Sequence, residues 1–191
     1  MEPKIQDIKQ LILDTALLLF TEKGYFNTSV HDIRKMADVS IGSIYHHFKN
    51  KEGIAKALYD SLVDKLGTAI DEICRKQANT HDRCRDVISC FFDMADSSPE
   101  MMKYILYARH REFMPDEKPI CSSKPFEMMK QIVEEGLERG EIRPMLPIVA
   151  ATSIFGGAIR MVHLLLDGVI EGPITGHFDE VWQCAWSGVT A

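Results

Sequence analysis

No stretch of this sequence sustains the period-two alternation of β-branched and polar residues that marks a half-buried strand, and that absence excludes sheet-based folds. Cysteine is scarce and unpatterned. Cys74, Cys84, Cys90, Cys121 and Cys184 contain no CxxC pair and no metal-ligand spacing, so free thiols are expected rather than a disulfide framework or a zinc site. No Gly-rich phosphate loop occurs, and His, Cys and Ser are scattered without nucleophile–base spacing, so no catalytic set, cofactor or metal is expected. The segment MEPKIQDIKQ is polar and has no secretory pattern, and the apolar runs read as too short and too interrupted to span a bilayer. A cytoplasmic protein without membrane attachment is the expectation. Repeats and low-complexity tracts are absent too.

An excess of positive charge is also missing: the net charge is −6. Its distribution is uneven. Residues 1–60 carry eight Lys/Arg and eight Asp/Glu, whereas residues 61–191 carry 14 and 20. The acidity therefore belongs to the C-terminal part. The N-terminal part keeps a local cluster of Arg34, Lys35, Lys49, Lys51 and Lys56, which is enough for contacts to phosphates though modest beside a strongly basic domain.

What the sequence does contain is helical periodicity. Ile5, Ile8, Ile12, Ala16, Leu19 and Phe20 keep one stripe up to a stop at Gly24. Asn50 is placed to cap a long helix from Lys51 to about Lys76. Further helices are expected from Thr80, from Pro99 to about Phe113, from Cys121–Pro125 to Gly140, from about Ile148 to Leu166, and from Phe178 to Ser187. With two short helices between Ser29 and Phe48, the total is about nine, an all-α fold. The expected organisation is a small helical head over residues 1–50 and a helical bundle over residues 51–191.

The informative stretch is Thr28–Lys51, TSVHDIRKMADVSIGSIYHHFKNK. Ser29 and Asp32 make a capping-box-like start, with the acid in place of the usual Glu or Gln. Val30, Ile33 and Ala37 then share a face. Asp38 interrupts the pattern, and Ser40 is placed to cap a second helix in which Ile44 and Phe48 face the core. Ile41, Gly42, Ser43, Tyr45 and His46 are left pointing outward, which suits a helix that enters a DNA groove.

These residues carry a resemblance. Ser29–Ile33, Ala37–Ser40 and Gly42–Lys51, with Ala16–Tyr25 upstream, resemble the helix-turn-helix head of the TetR family, the tetracycline-repressor-like regulators. The likeness covers roughly the first 60 residues. It implies a regulator of transcription, not an enzyme. It also implies that Tyr45 and Lys51 meet phosphates, with Lys49 adding to them, while Ser29 caps its helix next to the DNA backbone. Ile41, Gly42, Ser43 and His46 fall at positions that face base edges, and His31 approaches from the preceding helix. Three positions depart from the family pattern. Asp38 stands where Gly is usual, at a turn that needs a positive φ, and Arg34 and Met36 replace small residues. Arg34 is placed to reach a phosphate.

The C-terminal half reads as a bundle with an interior rich in Met and aromatics, suited to a mostly apolar small-molecule effector. The candidate ligand residues are Phe92, Tyr104, Tyr107, His110, Arg111, Phe126, Met129, Phe155 and His163. The last two helices are the expected homodimer contact. Ala150, Ala151, Ser153, Gly156, Gly157 and Ala158 allow close approach, and Trp182 and Trp186 supply anchors. Together these readings give a repressor released from a palindromic operator on double-stranded DNA by its ligand. The alternatives are a helical carrier or enzyme that keeps the head for docking, and a regulator controlled by a protein partner.

Overall fold

The computed structural model describes residues 5–108, 110–116 and 120–190. The side chain of Cys121 and part of the expected loop after Met114 lie outside the described residues. Ten α-helices and no strand occur among them: α1 (Ile5–Glu22), α2 (Val30–Ala37), α3 (Ile41–His47), α4 (Lys51–Lys76), α5 (Thr80–Ser97), α6 (Pro99–Tyr107), α7 (His110–Phe113), α8 (Lys124–Glu138), α9 (Pro147–Leu166) and α10 (Phe178–Ser187). Single 3-10 turns at Ile120–Ser122 and Ile174–His177 fall in segments expected as loop or helix start.

The tenth helix arises where one long helix was expected from Pro99 to about Phe113. The chain leaves helical geometry at Ala108 and restarts at His110. Ending a helix strands its last carbonyls, which need other partners. Here the Nε2 of buried His110 lies 2.9 Å from the Tyr104 carbonyl oxygen and satisfies one of them. No backbone signal in the sequence marks this break, because the compensating group comes from the next helix.

The chain forms two compact units. The first comprises residues 1–62 and 103–119. In it α1, α2 and α3 pack on one another through Ile12, Ala16, Leu19, Ile33, Ala37 and Ile44, each 6% exposed or less. Gly24 ends α1 with a φ of +85°, a backbone state that glycine adopts without penalty. The elbow that follows is tied down by buried Thr28, whose hydroxyl lies 2.9 Å from the Gly24 carbonyl and 3.2 Å from that of Leu19. Tyr104 is fully buried and donates from its hydroxyl to the Ala55 carbonyl at 3.2 Å. Burial pushes that phenol well above its ordinary titration range, so it stays a neutral donor.

The second unit comprises residues 63–102 and 120–191. Its centre is α5, packed on α8, α9 and α10. Val87, Ile88, Phe91 and Phe92 form its buried stripe, with Ile132, Val133, Ile154, Phe155, Ala158 and Val162 from its neighbours. The α5–α8 approach is close enough that a Cβ on Gly136 would lie 2.6 Å from the Thr80 Cγ2, so only glycine fits. Two polar ties fix the frame. Arg83 pairs with Glu135 at 2.8 Å, and the Asp96 carboxylate accepts from the Ile174 and Thr175 amides and the Thr175 hydroxyl at 2.9–3.2 Å.

The expectation that no run suffices to span a bilayer is corrected by α9. Its 20 residues are long and apolar enough, by length and composition. Thr152, Ser153, the paired glycines and His163 look like interruptions, yet Arg160 is the one residue among Asp, Glu, Lys and Arg that the helix contains. One side of α9 is nonetheless a core face, with Ala150, Ile154, Phe155, Ala158 and Val162 buried. Ile148 and Val149 are exposed, as is Leu146 just before the helix.

Candidate nucleic-acid interface

Local hydrogen bonds set the ends of α2 and α3. Ser29 caps α2 with both halves of a capping box present: its hydroxyl accepts from the Asp32 amide at 3.1 Å, and the Asp32 carboxylate accepts from the Ser29 amide at 2.8 Å. The Ser29 hydroxyl also donates to that carboxylate at 2.6 Å. The hydrogen bonds from the Ser29 hydroxyl and then its amide hold the Asp32 carboxyl below the usual carboxylate range. Asp38 closes α2 in the left-handed region at φ 51°, ψ 46°, and its amide donates to the Arg34 carbonyl. It is the only non-glycine residue with positive φ among the described residues. The family resemblance implies a turn here that glycine usually fills. Aspartate tolerates it because its short polar side chain penalises the state less than most.

Ser40 opens α3 and accepts from the Ser43 amide at 3.0 Å, while the two hydroxyls lie 2.9 Å apart. Ile44 and Phe48 are buried at 1% and 5% exposure, as the spacing requires. The opposite side of α3 consequently faces solvent: Gly42, Tyr45 and His46 are exposed, and Ile41 and Ser43 are half-buried. Tyr45 is 54% exposed, so its ring and hydroxyl are presented outward. His47 is half-buried between His46 and Phe48, with ring centroids 5.0 and 6.2 Å away. Gly42, Ser43, His46 and His47 line one shallow concavity of about 350 Å³ together with Ile8 of α1. From α2, His31, Arg34, Lys35 and Met36 are exposed, and Lys49 is exposed after α3.

Lys51 is placed differently from the other basic residues. Its ammonium donates to the carbonyls of Tyr25 and Thr28, both at 3.0 Å, and stands 4.1 Å above the Tyr25 ring. The Tyr25 hydroxyl donates to Glu52 at 3.1 Å. The start of α4 is thereby clamped to the elbow between α1 and α2. Asn50 caps α4 by accepting from the Gly53 amide at 2.8 Å. The Asn50 cap was legible from the sequence. The Lys51 and Glu52 ties were not, since their partners lie more than 20 residues upstream.

The candidate ligand residues divide between the two units. Tyr104, Tyr107, His110 and Arg111 belong to the first, and Phe92, Phe126, Met129, Phe155 and His163 to the second. Phe92, Met129 and Phe155 are core residues at 3% exposure or less. Phe126 and His163 are half-buried, and the His163 Nδ1 lies 2.8 Å from the Ile159 carbonyl oxygen one turn back. Tyr107 and Arg111 are exposed. Among the described residues no cluster of His, Cys, Asp and Glu is arranged to hold a metal ion.

Residues 12–58 match the family described as bacterial regulatory proteins, tetR family. The fatty acid metabolism regulator protein of Bacillus subtilis is 27% identical over 151 residues, 78% of this chain and 77% of the relative. The transcriptional repressor KstR2 of Mycobacterium tuberculosis is 24% identical over 142 residues, 72% and 70% of the two chains. Among solved structures, FadR from Bacillus subtilis in complex with stearoyl-CoA superposes with a TM-score of 0.78 at 24% identity, covering 94% of this chain and 98% of that one. The ketosteroid regulator KstR2 of Mycobacterium tuberculosis gives 0.73 at 20% identity, covering 96% and 95%.

Proposed function

The chain belongs to the tetR family of bacterial regulatory proteins, and from that footing we propose that this DNA-binding regulator is a homodimeric repressor released from a palindromic operator by a small, largely apolar ligand. The observation that carries the DNA-binding part is the outward face of α3. A helix capped by Ser40 and anchored by Ile44 and Phe48 presents Gly42, Ser43, Tyr45 and His46 together. Such a face fits the major groove.

In this reading Tyr45, Lys49 and Arg34 meet phosphates, while Ile41, Gly42, Ser43 and His46 approach base edges with His31 beside them. Ser29 holds α2 against the backbone of the DNA. Lys51 acts chiefly by seating α4 on the elbow, because its ammonium is already engaged. Residues 1–50 read DNA and residues 51–191 supply effector binding and dimer contacts, a functional division that the compact units cross.

The dimer contact is assigned to α9 and α10. Support comes from the exposed Ile148 and Val149 on a helix otherwise apolar, and from the small residues Ser153 and Gly157 beside Val181 and Ala185. A twofold pair of α3 helices then matches the symmetry of a palindrome. The effector is apolar in most of its surface. A long-chain acyl thioester is the first class to screen, since one structural neighbour is in complex with stearoyl-CoA. The effector shifts the balance only through unequal affinity for the two states of the protein, with α4 carrying the shift.

The test is a titration of purified protein against the DNA flanking its own gene across a salt series. Tight, sequence-dependent binding with a steep salt slope is expected. Weak binding equal for all sequences, with or without acyl thioesters, overturns the reading.

A further inference from the structure

We propose that the first unit carries a ligand site of its own, for a planar aromatic molecule bearing one negative charge. The site is a cavity of about 340 Å³ between the end of α1, the elbow after it, and α6–α7, within the size range of small-molecule sites. Its walls are aromatic: Phe20, Tyr25, Phe26, Tyr104, Tyr107 and Phe113 line it. The rings are already arranged for stacking. Tyr25 and Phe113 lie nearly parallel with centroids 4.0 Å apart, and Phe26 stands edge-on to both. A flat ring added beside Phe26 or Tyr107 extends that set in the offset or edge-on geometry aromatic pairs prefer. Phe26 is 65% exposed and Tyr107 42%, so both have apolar surface left to cover.

The polar groups around the cavity define the rest of the ligand. The Thr21 hydroxyl donates to the carbonyls of Leu17 and Leu18 at 2.8 and 3.0 Å, and the Tyr104 hydroxyl is committed to Ala55. Tyr107 and Glu112 have interactions of their own. Lys103 is the one cation among the described lining residues, and its ammonium has no ion-pair partner among them. An aromatic body with a carboxylate thus satisfies what the cavity leaves open: ring area and one unpaired positive charge. The neighbouring rings add a further preference for flat over branched ligands. Gly24, Tyr25 and Phe26 also form the elbow leading into α2, so an occupant touches the segment that seats the helix-turn-helix.

The test uses the full chain and no DNA, so it stands or falls apart from operator binding. Calorimetric titration with 2-naphthoate is compared with its neutral analogue 2-naphthalenemethanol. The wild type is expected to bind both. Lys103→Gln should weaken naphthoate about five-fold, the scale of one exposed ion pair, and leave the alcohol unchanged. Ala108→Trp should fill the cavity and abolish binding of both. Should that variant fail to fold by circular dichroism, Tyr107→Ala, on an exposed side chain, should weaken both ligands. No binding by the wild type, binding that survives both Ala108→Trp and Tyr107→Ala, or a naphthoate affinity indifferent to Lys103→Gln overturns the proposal.

Discussion

The Lys51 ammonium stands 4.1 Å above the Tyr25 ring and donates to the Tyr25 carbonyl at 3.0 Å, joining the first turn of α4 to the elbow after α1. A second bond to the Thr28 carbonyl completes the clamp. Hydrogen bonds from charged donors carry about 1.5–3 kcal/mol, and their partners here are partly buried. Lys51→Met is expected to lower the stability of the chain by about 1–3 kcal/mol in a denaturant titration. Lys49→Met should change stability by less than about 0.5 kcal/mol. Its effect should appear instead in DNA binding, where the slope of log K against log salt becomes shallower by about 0.9 for each phosphate no longer neutralised. The reverse assignment, with Lys49 the stabilising residue, would contradict both roles.

Gly42 offers a way to separate fold from function. A Cβ there meets only the Ser40 hydroxyl oxygen at 3.7 Å, an ordinary contact. Gly42→Ala is therefore expected to stabilise the protein by roughly 0.5–1 kcal/mol through better helix propensity. The added methyl stands on the exposed face of α3, so operator affinity should fall at least several-fold. Unchanged affinity would remove this face from the DNA contact.

Asp38 holds a left-handed backbone at φ 51° that favours glycine. Asp38→Gly is expected to leave α2 and α3 in place and stabilise the protein by up to about 1 kcal/mol, whereas Asp38→Val should destabilise it by about 1–2 kcal/mol. Thermal unfolding of the two variants checks the order. Equal melting temperatures would mean that the turn relaxes out of this conformation.

The cap on α2 has a pH signature. Hydrogen bonds from Ser29 lower the folded-state titration of Asp32 below its unfolded value. The stability this provides is present above the unfolded carboxylate pKa of about 4, and it is lost as pH falls through the lower folded value. The stability gap between wild type and Asp32→Asn should therefore be largest near neutral pH and close in acid. Urea titrations at several pH values measure it. A gap that stays constant down to strongly acid pH would show that the carboxylate charge contributes nothing to the cap.

The sequence by itself determined the features that depend on neighbours within a few residues. Helix caps at Ser29, Ser40 and Asn50, the α1 stop at Gly24 and the positive φ of Asp38 are decided by hydrogen bonds and steric limits spanning three or four positions. So is the outward face of α3, because the buried Ile44 and Phe48 fix its rotation. The tertiary structure decided what depends on distant partners. It gave the Lys51 ammonium the carbonyls of Tyr25 and Thr28 as partners and so made it a clamp. It also divided the candidate ligand residues between two compact units and left one side of α9 bare. The physical reason is common to all three. Periodicity tells that a residue faces inward or outward on its own helix, but what it meets there is set by packing between segments tens of residues apart.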